Sequence, residues 1–352
     1  VTTHQQYLWN GIHLSGDFGY QFNHREEWSA FHTHYDTQVM PAKDPDRELV
    51  FKLHTFSSSL KLRLSSSSSW EHMAGWNMQI QKNAIGGYSF LLPEYKRFTT
   101  GAFWLTTFRL DNQLSVTGGI RYDRGRIDIT AFEDPYLVEY LHRQGYEEEV
   151  IQAYRWRSYP VDRAYGNYSC SAGVVWTPAA GHLLKMNVGR SFRLPGVNEL
   201  ASNGVHHGTF RHEKGDATLS SEQGWQIDAS YTLAYKKMEL VVSSFASWFD
   251  NYIYLRPMGE WSVLPHAGQI YQYSGARALF MGGEINFNMD FLRHFNYRLV
   301  GEYVYTYNRD EHTALSFSPP VSMRNILTWN KKDFQLYAEL QLSLIHISEP
   351  TR

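Results

Sequence analysis

The chain has 352 residues, with 33 Lys and Arg against 35 Asp and Glu and a formal charge of −2, so no global positive field draws it to nucleic acid. Aromatic residues reach 16%, an excess that calls for a very large core or for aromatic belts at membrane interfaces. No run approaches the roughly 18 apolar residues of a membrane helix, and a single cysteine, Cys170, excludes an internal disulfide and reads as a buried thiol.

Taken in chain order, the segments alternate with period 2. Leu114, Val116, Ile120 and Tyr122 interleave with Ser115, Thr117, Arg121 and Asp123. Further on, Trp225, Ile227, Ala229, Tyr231, Leu233 and Tyr235 share one face, with Gln226, Asp228, Ser230 and Thr232 on the other. Ile285, Phe287, Met289 and Phe291 alternate with Glu284, Asn286, Asn288 and Asp290, and Phe334, Leu336, Ala338 and Leu340 with Gln335, Glu339 and Gln341. One face of each segment is apolar and the other wet. Such runs last about ten residues, whereas strands of soluble sandwiches are usually about five or six long. In hydrocarbon every backbone amide must be paired, and a closed antiparallel sheet is the one sheet without an edge.

The joins agree with that reading. Short ones are expected at Ser65–Ser69, Asp111–Asn112, Pro178–Gly181, Lys236–Lys237, Leu292–His294 and Lys331–Lys332. Between them lie long ones, at Arg25–Glu48, Ala84–Arg97, Thr130–Ala164, Leu194–Ser220, Arg256–Gln269 and Arg309–Pro320. Short turns on one rim and long loops on the other are the signature of an outer-membrane barrel. The count is about thirteen strands, where single-chain barrels have even numbers; a missing part or one miscounted strand, for instance in Gly268–Asp290, accounts for the odd total. Within Thr130–Ala164, the segment PYLVEYLHRQGYEEEVIQAYRW has the spacing of a short helix over the mouth or of an ordered loop packed on its neighbours.

At the end, LSLIHISEPTR (Leu342 to Arg352) resembles the translation of a transposase adapter used in sequencing libraries. The expected organisation is therefore residues 1–341 as a partial barrel and 342–352 as a non-native tail. Val1 is not a start methionine, and the chain is expected to have continued on both sides.

The run GRSFRLPGVNELASNGVHHGTFRHEKGD, at the outer end of a strand, resembles the barrel of TonB-dependent outer-membrane receptors, particularly those of Bacteroidetes. GYQFNHREEW (Gly19–Trp28), GGIRYDRG (Gly118–Gly125), DNYIYLRP (Asp250–Pro257) and GQIYQY with GGEI (Gly268–Ile285) match in the same order. The resemblance implies an all-β, transmembrane, antiparallel up-and-down β-barrel, here incomplete, with about 13 strands of about 22 and the plug domain absent. It also implies a Gram-negative outer-membrane location, contact with outer-membrane lipid, and active transport energised by the TonB complex through the missing N-terminal plug. The cargo would be a metal or metal complex: an iron chelate, haem or zinc.

For a site, alternation in KMNVGRSFR turns Leu184, Met186 and Val188 to lipid and Lys185, Asn187, Ser191 and Arg193 to the lumen. Arg193, near Glu199, is expected to pair with a carboxylate of the plug or a neighbouring strand, because an unpaired charge in a crowded lumen is costly, with ligand contact by Arg193, Glu199 and Asn203 as the alternative. His206, His207, His212 and Glu213 supply nitrogen and oxygen donors suited to zinc, and His32, His34 and Asp36 share another loop. The alternative is that all are polar loop residues. Asn203 stands in the ASNGVH context also found in relatives that resemble zinc or haem receptors. Trp28, Phe31, Tyr35, Phe210 and Trp261 offer stacking surfaces for a chelate or a sugar. No nucleophile elbow, H-E-x-x-H motif or phosphate cradle occurs, so no enzyme and no resident cofactor are expected. A passive porin-like channel and a surface binding barrel are the competing functions.

Overall fold

The structure is a computed structural model that describes residues 1–33, 35–65, 67–206, 209–315 and 318–344, with His206 described in its backbone only. In chain order the first strands are β1 (Thr2–Trp9), β2 (Ile12–Trp28), β3 (Arg47–Ser65), β4 (Trp70–Gly86), β5 (Tyr95–Arg109) and β6 (Leu114–Ile129). A long loop then carries β7 (Phe132–Glu133), α1 (Pro135–Arg143), α2 (Glu148–Tyr154) and β8 (Trp156–Ser158). Next come β9 (Val161–Trp176) and β10 (His182–Arg193), and a second long loop with α3 (Val197–Ala201), β11 (Asn203–His206) and β12 (Arg211–Lys214). The chain continues through β13 (Glu222–Tyr235), β14 (Met238–Trp261), β15 (Gln269–Phe291), β16 (Phe295–Asn308), β17 (Val321–Lys331) and β18 (Phe334–Leu344).

Fourteen long strands pair in sequence order, from β1 to β6, through β9, β10 and β13, to β18. Every neighbouring pair is antiparallel, and β11 and β12 join the same sheet through β15. Among the described residues β1 and β18 do not pair with each other, so the barrel is open. The sequence reading gave thirteen strands; the one it lacked is β1, not a division of Gly268–Asp290, which is the single strand β15. The missed signal is Asn10–Gly11, which turns β1 into β2 with both residues at positive φ, 44° and 82°. Asn-Gly is a preferred pair for such a hairpin turn because each residue tolerates that backbone region.

The registers carry the alternation from strand to strand. Tyr231, Val242, Ile285, Gly301 and Met323 are successive partners on the outward face. One residue along, Lys185, Ser230, Ser243, Glu284, Glu302 and Ser322 are successive partners on the inward face. Among the described residues no second sheet or helix layer covers the outward face: Ile120 is 67% exposed and Tyr122 58%. A soluble chain rarely leaves so continuous an apolar surface bare, whereas a membrane-spanning sheet must. Cys170 lies on this face opposite Ile120 and is half-buried, so the expectation of a buried thiol is corrected.

The buried apolar residues gather instead where the long loops fold inward. Leu200, Ala201 and Leu219 pack on Ile127, Ile129, Val161, Tyr165 and Ile253 of the sheet. A second cluster joins Tyr35, Leu137, Leu141, Ile151, Tyr154, Val205 and Leu264 from four different loops. The segment from Pro135 to Tyr154 is thus two helices that pack on neighbouring loops. Asp134 caps α1 by accepting the N–H groups of Tyr136 and Leu137 at 3.1 and 3.2 Å, with Pro135 in the first turn.

Placing a charge on the bare face is expected to cost far more than placing it inside. In the full-length chain refolded into phospholipid vesicles, Ile285→Arg should lose about 2–4 kcal/mol, and Ser243→Arg, which faces the wet side, less than about 1 kcal/mol; urea unfolding monitored by tryptophan fluorescence measures both.

Candidate functional site in the outer loops

The second long loop is built on one arginine. Arg193, at the end of β10, donates from Nη1 to Glu199 Oε2 at 2.8 Å and from Nη2 to Glu222 Oε2 at 3.1 Å. Glu199 reaches back to accept the N–H of Gly196 at 2.6 Å and so fixes the start of α3, while Glu222 also accepts the N–H of Ile253 at 3.0 Å. One guanidinium therefore ties a loop helix to two strands. The expected pairing with a neighbouring strand is present, and Glu199 is part of that structure rather than an open acceptor.

His212 lies in β12 and is fully buried. Its Nδ1 is 2.8 Å from Ser262 Oγ and its Nε2 is 2.9 Å from Asn203 Oδ1. Asn203 in turn donates Nδ2 to the carbonyls of Ala153 and Trp156, at 3.0 and 2.7 Å, which fixes its oxygen toward the histidine. Nε2–H is then the donor and Nδ1 the acceptor of the serine hydroxyl. Burial, followed by the charges of Lys214 and Arg157, lowers the imidazole pKa to about 3, so the ring is neutral. With both nitrogens engaged, His212 offers no lone pair to a metal in this arrangement.

Glu213 is buried, accepts the Tyr273 hydroxyl at 3.2 Å and faces Arg211. His32 contacts the Ala30 carbonyl at 3.1 Å and the Tyr88 hydroxyl at 3.3 Å. His34 and His207 lie outside the described residues, as does the side chain of His206. Among the described residues no group of three His, Cys, Asp or Glu stands ready to hold a metal ion. The structure does bring the two histidine-bearing loops together, since Tyr35 and Val205 belong to one apolar cluster.

A residue that the sequence did not single out sits between those loops. Arg157 is 5% exposed, donates to the Tyr35 hydroxyl at 2.8 Å, lies 4.0 Å from Asp134 and stacks over the Phe90 ring. Its Nε has no hydrogen-bond partner among the described residues. On one side is a crevice of about 560 Å³ lined by Tyr35, Gln38, Tyr88, Phe90, Phe132 and Tyr136. On the other is a smaller one of about 190 Å³, bounded by Asn203, Gly204 and Glu213. Gly204 is required there, because a Cβ would come within 2.5 Å of the arginine Nε. A lone arginine in an aromatic sequence gives no forewarning of this; burial alone singles it out.

Comparison with known proteins follows this geometry. A family model described as "TonB dependent receptor-like, beta-barrel" matches residues 2–348. No curated protein sequence matches the chain. Among solved structures, the copper transporter OprC is similar at a TM-score of 0.68 and 15% identity, covering 94% of this chain and 49% of its own. The hemophore receptor HasR of Serratia marcescens, in complex with its hemophore HasA and heme, gives 0.64 and 17%, covering 95% and 55%. The ferric enterobactin receptor PfeA of Pseudomonas aeruginosa gives 0.62 and 13%, covering 97% and 49%. The chain spans about half the length of these structures, and at such identities they establish a shared fold.

Because the folded pKa of His212 lies below the unfolded value near 6.5, the unfolded loop binds the extra proton. The loop's stability is complete above pH about 6.5 and is lost progressively as pH falls toward about 3. Protease accessibility of the segment 203–214 in the full-length protein, measured from pH 7 to 4, should therefore rise with acid. His212→Ala, which strands Asn203 Oδ1 and Ser262 Oγ, should raise it at pH 7 by the equivalent of about 2–4 kcal/mol.

Proposed function

This chain belongs to the TonB-dependent receptor β-barrels, a family of transporters rather than enzymes, and from that premise we propose that it is the barrel portion of an outer-membrane uptake receptor for a metal complex. Its apolar face would lie in the outer membrane of a Gram-negative bacterium with the long loops outside. Energy would come from the TonB complex through an N-terminal plug. The solved structures with this fold include a copper transporter, a hemophore receptor in complex with heme and a ferric enterobactin receptor, which supports a metal-bearing cargo.

The observation that carries the reading is the convergence of four outer loops on one buried arginine with an unpaired Nε, beside an aromatic crevice. A guanidinium in an apolar wall favours an anion, and the rings of Tyr88, Phe90 and Tyr136 favour a planar one. An anionic metal chelate satisfies both demands. His206, His207, His32 and His34, borne by the same loops, are proposed as donors, and Arg193, Glu199, Asn203, His212 and Glu213 as the frame of those loops.

Calorimetric titration of the full-length receptor with a ferric chelate, haem and a zinc salt tests this. Arg157→Gln should weaken chelate or haem binding about tenfold. Replacing His206 and His207 together by alanine should weaken zinc or haem binding about tenfold without unfolding the barrel. Unaltered affinities in both variants would count against a metal-complex cargo at these loops.

A further inference from the structure

Arg157 divides two crevices, and its nitrogens are treated differently on the two sides. Nη1 donates to the Tyr35 hydroxyl at 2.8 Å and lies 4.0 Å from Asp134, and both of these residues line the crevice of about 560 Å³. Nε is turned toward Gly204, where a Cβ would come within 2.5 Å of it, and Gly204 belongs to the wall of the crevice of about 190 Å³. The arginine is buried, and among the described residues Nε has no hydrogen-bond partner. A buried donor of a charged group left unmatched is costly, so this nitrogen calls for an acceptor.

The other polar groups around the smaller crevice are already engaged. Glu213 accepts the Tyr273 hydroxyl at 3.2 Å and faces Arg211 at 3.4 Å, and Asn198 donates to the same hydroxyl at 2.9 Å. Asn203 gives its oxygen to His212 and its amide to the carbonyls of Ala153 and Trp156. Phe90, Leu91, Leu92 and Val205 complete the wall with apolar surface. A cavity of about 150 Å³ holds one benzene molecule, so this crevice takes a short substituent and not a macrocycle. Phe90 lines both crevices: the guanidinium lies 5.8 Å from its ring centre, and Phe132 stacks on it at 4.6 Å and 14°. The larger crevice therefore has a flat aromatic side next to the arginine.

We propose that the smaller crevice is a subsite for a carboxylate arm of the cargo, held by Arg157 Nε, while the planar body of the same molecule lies against Phe90 and Phe132. A carboxylate oxygen gives the buried N–H a charge-assisted partner, whereas a bare metal cation would be repelled by the same guanidinium. The cargo class is then a planar metal complex with free carboxylate arms, which is the chemistry of a metalloporphyrin rather than of a catecholate chelate.

The inference rests on the uptake reading above and deepens it, and its failure looks different. The full-length receptor in dodecyl maltoside micelles is titrated with haem, with haem dimethyl ester and with a ferric tris-catecholate, followed by quenching of tryptophan fluorescence. The ester keeps the metal and the ring and loses the negative arms. Haem is expected to bind at least about tenfold more tightly than either of the others. In Gly204→Ala, whose Cβ intrudes on Nε, and in Arg157→Gln, which removes the charge, the ratio of haem to ester affinity should fall below about twofold. A merely structural loss would weaken both ligands and leave the ratio unchanged. If Gly204→Ala does not fold, Arg157→Gln carries the same comparison. Equal affinity for haem and ester in the wild type, tighter binding of the tris-catecholate, or a preserved ratio in a folded variant overturns the subsite. Binding of none of the three complexes overturns the uptake reading itself.

Discussion

Every feature of this chain follows from the need to pair backbone amides where water cannot. Hydrocarbon offers an unpaired N–H or C=O no partner, so a spanning sheet must satisfy each of them by the strand beside it. Fourteen strands in sequence order, each antiparallel to the next, meet that need by pairing each strand with its neighbour along the chain. The period of two then leaves each strand with one face for lipid and one for the bore. The registers hold that division across the sheet, so that Val242 and Ile285 stay outward while Ser243 and Glu284 stay inward.

A sheet with lipid on one side and a wet bore on the other has no ordinary core. Its packed interior has to be made by the long loops, and that is where the fully buried side chains Leu137, Leu141, Ile151 and Leu200 are found. The loops are consequently ordered rather than trailing: Leu200 of α3 packs on Ile127 and Ile253 of the sheet, and Arg193 fixes the same loop by charge. A buried Leu contributes about 1.5–3 kcal/mol, while a half-exposed ion pair adds about 1 kcal/mol or less. The apolar contacts therefore set the loop's position and the ion pairs its orientation.

The sequence disclosed the sheet because alternation is local. Trp225 to Tyr235 and Ile285 to Phe291 declare their faces without reference to any other residue, and the long joins could be placed because nothing in them alternates. Asn10–Gly11 was equally legible as a turn, yet β1 before it, TTHQQYLW, has too few apolar residues to declare a face. The site was less legible for a physical reason. His212 has the chemistry of a ligand, and only its partners decide its role: Ser262 is 50 residues away and Asn203 is held by the carbonyls of Ala153 and Trp156. Arg157 gave no signal, since its significance lies in burial between loops distant in sequence.

The same local rule that made the sheet legible also writes a second message along it. Where the outward positions stop being apolar they do not become merely polar; on five consecutive strands, β2 to β6, they become basic. Nothing in the backbone pairing requires that, because serine or asparagine would satisfy the ladder equally and avoid setting Lys82 against Lys96. Acids of the same face relieve part of that repulsion, since Lys96 faces Asp128 across the β5–β6 pair and His24 has Glu26 at 3.1 Å. On the inward face Arg121 is held by Asn77 at 2.7 Å and by Asp123. Cations with partners inside the chain occur on both faces, Arg121 toward the bore and Arg126, held by Asp162, on the outward one.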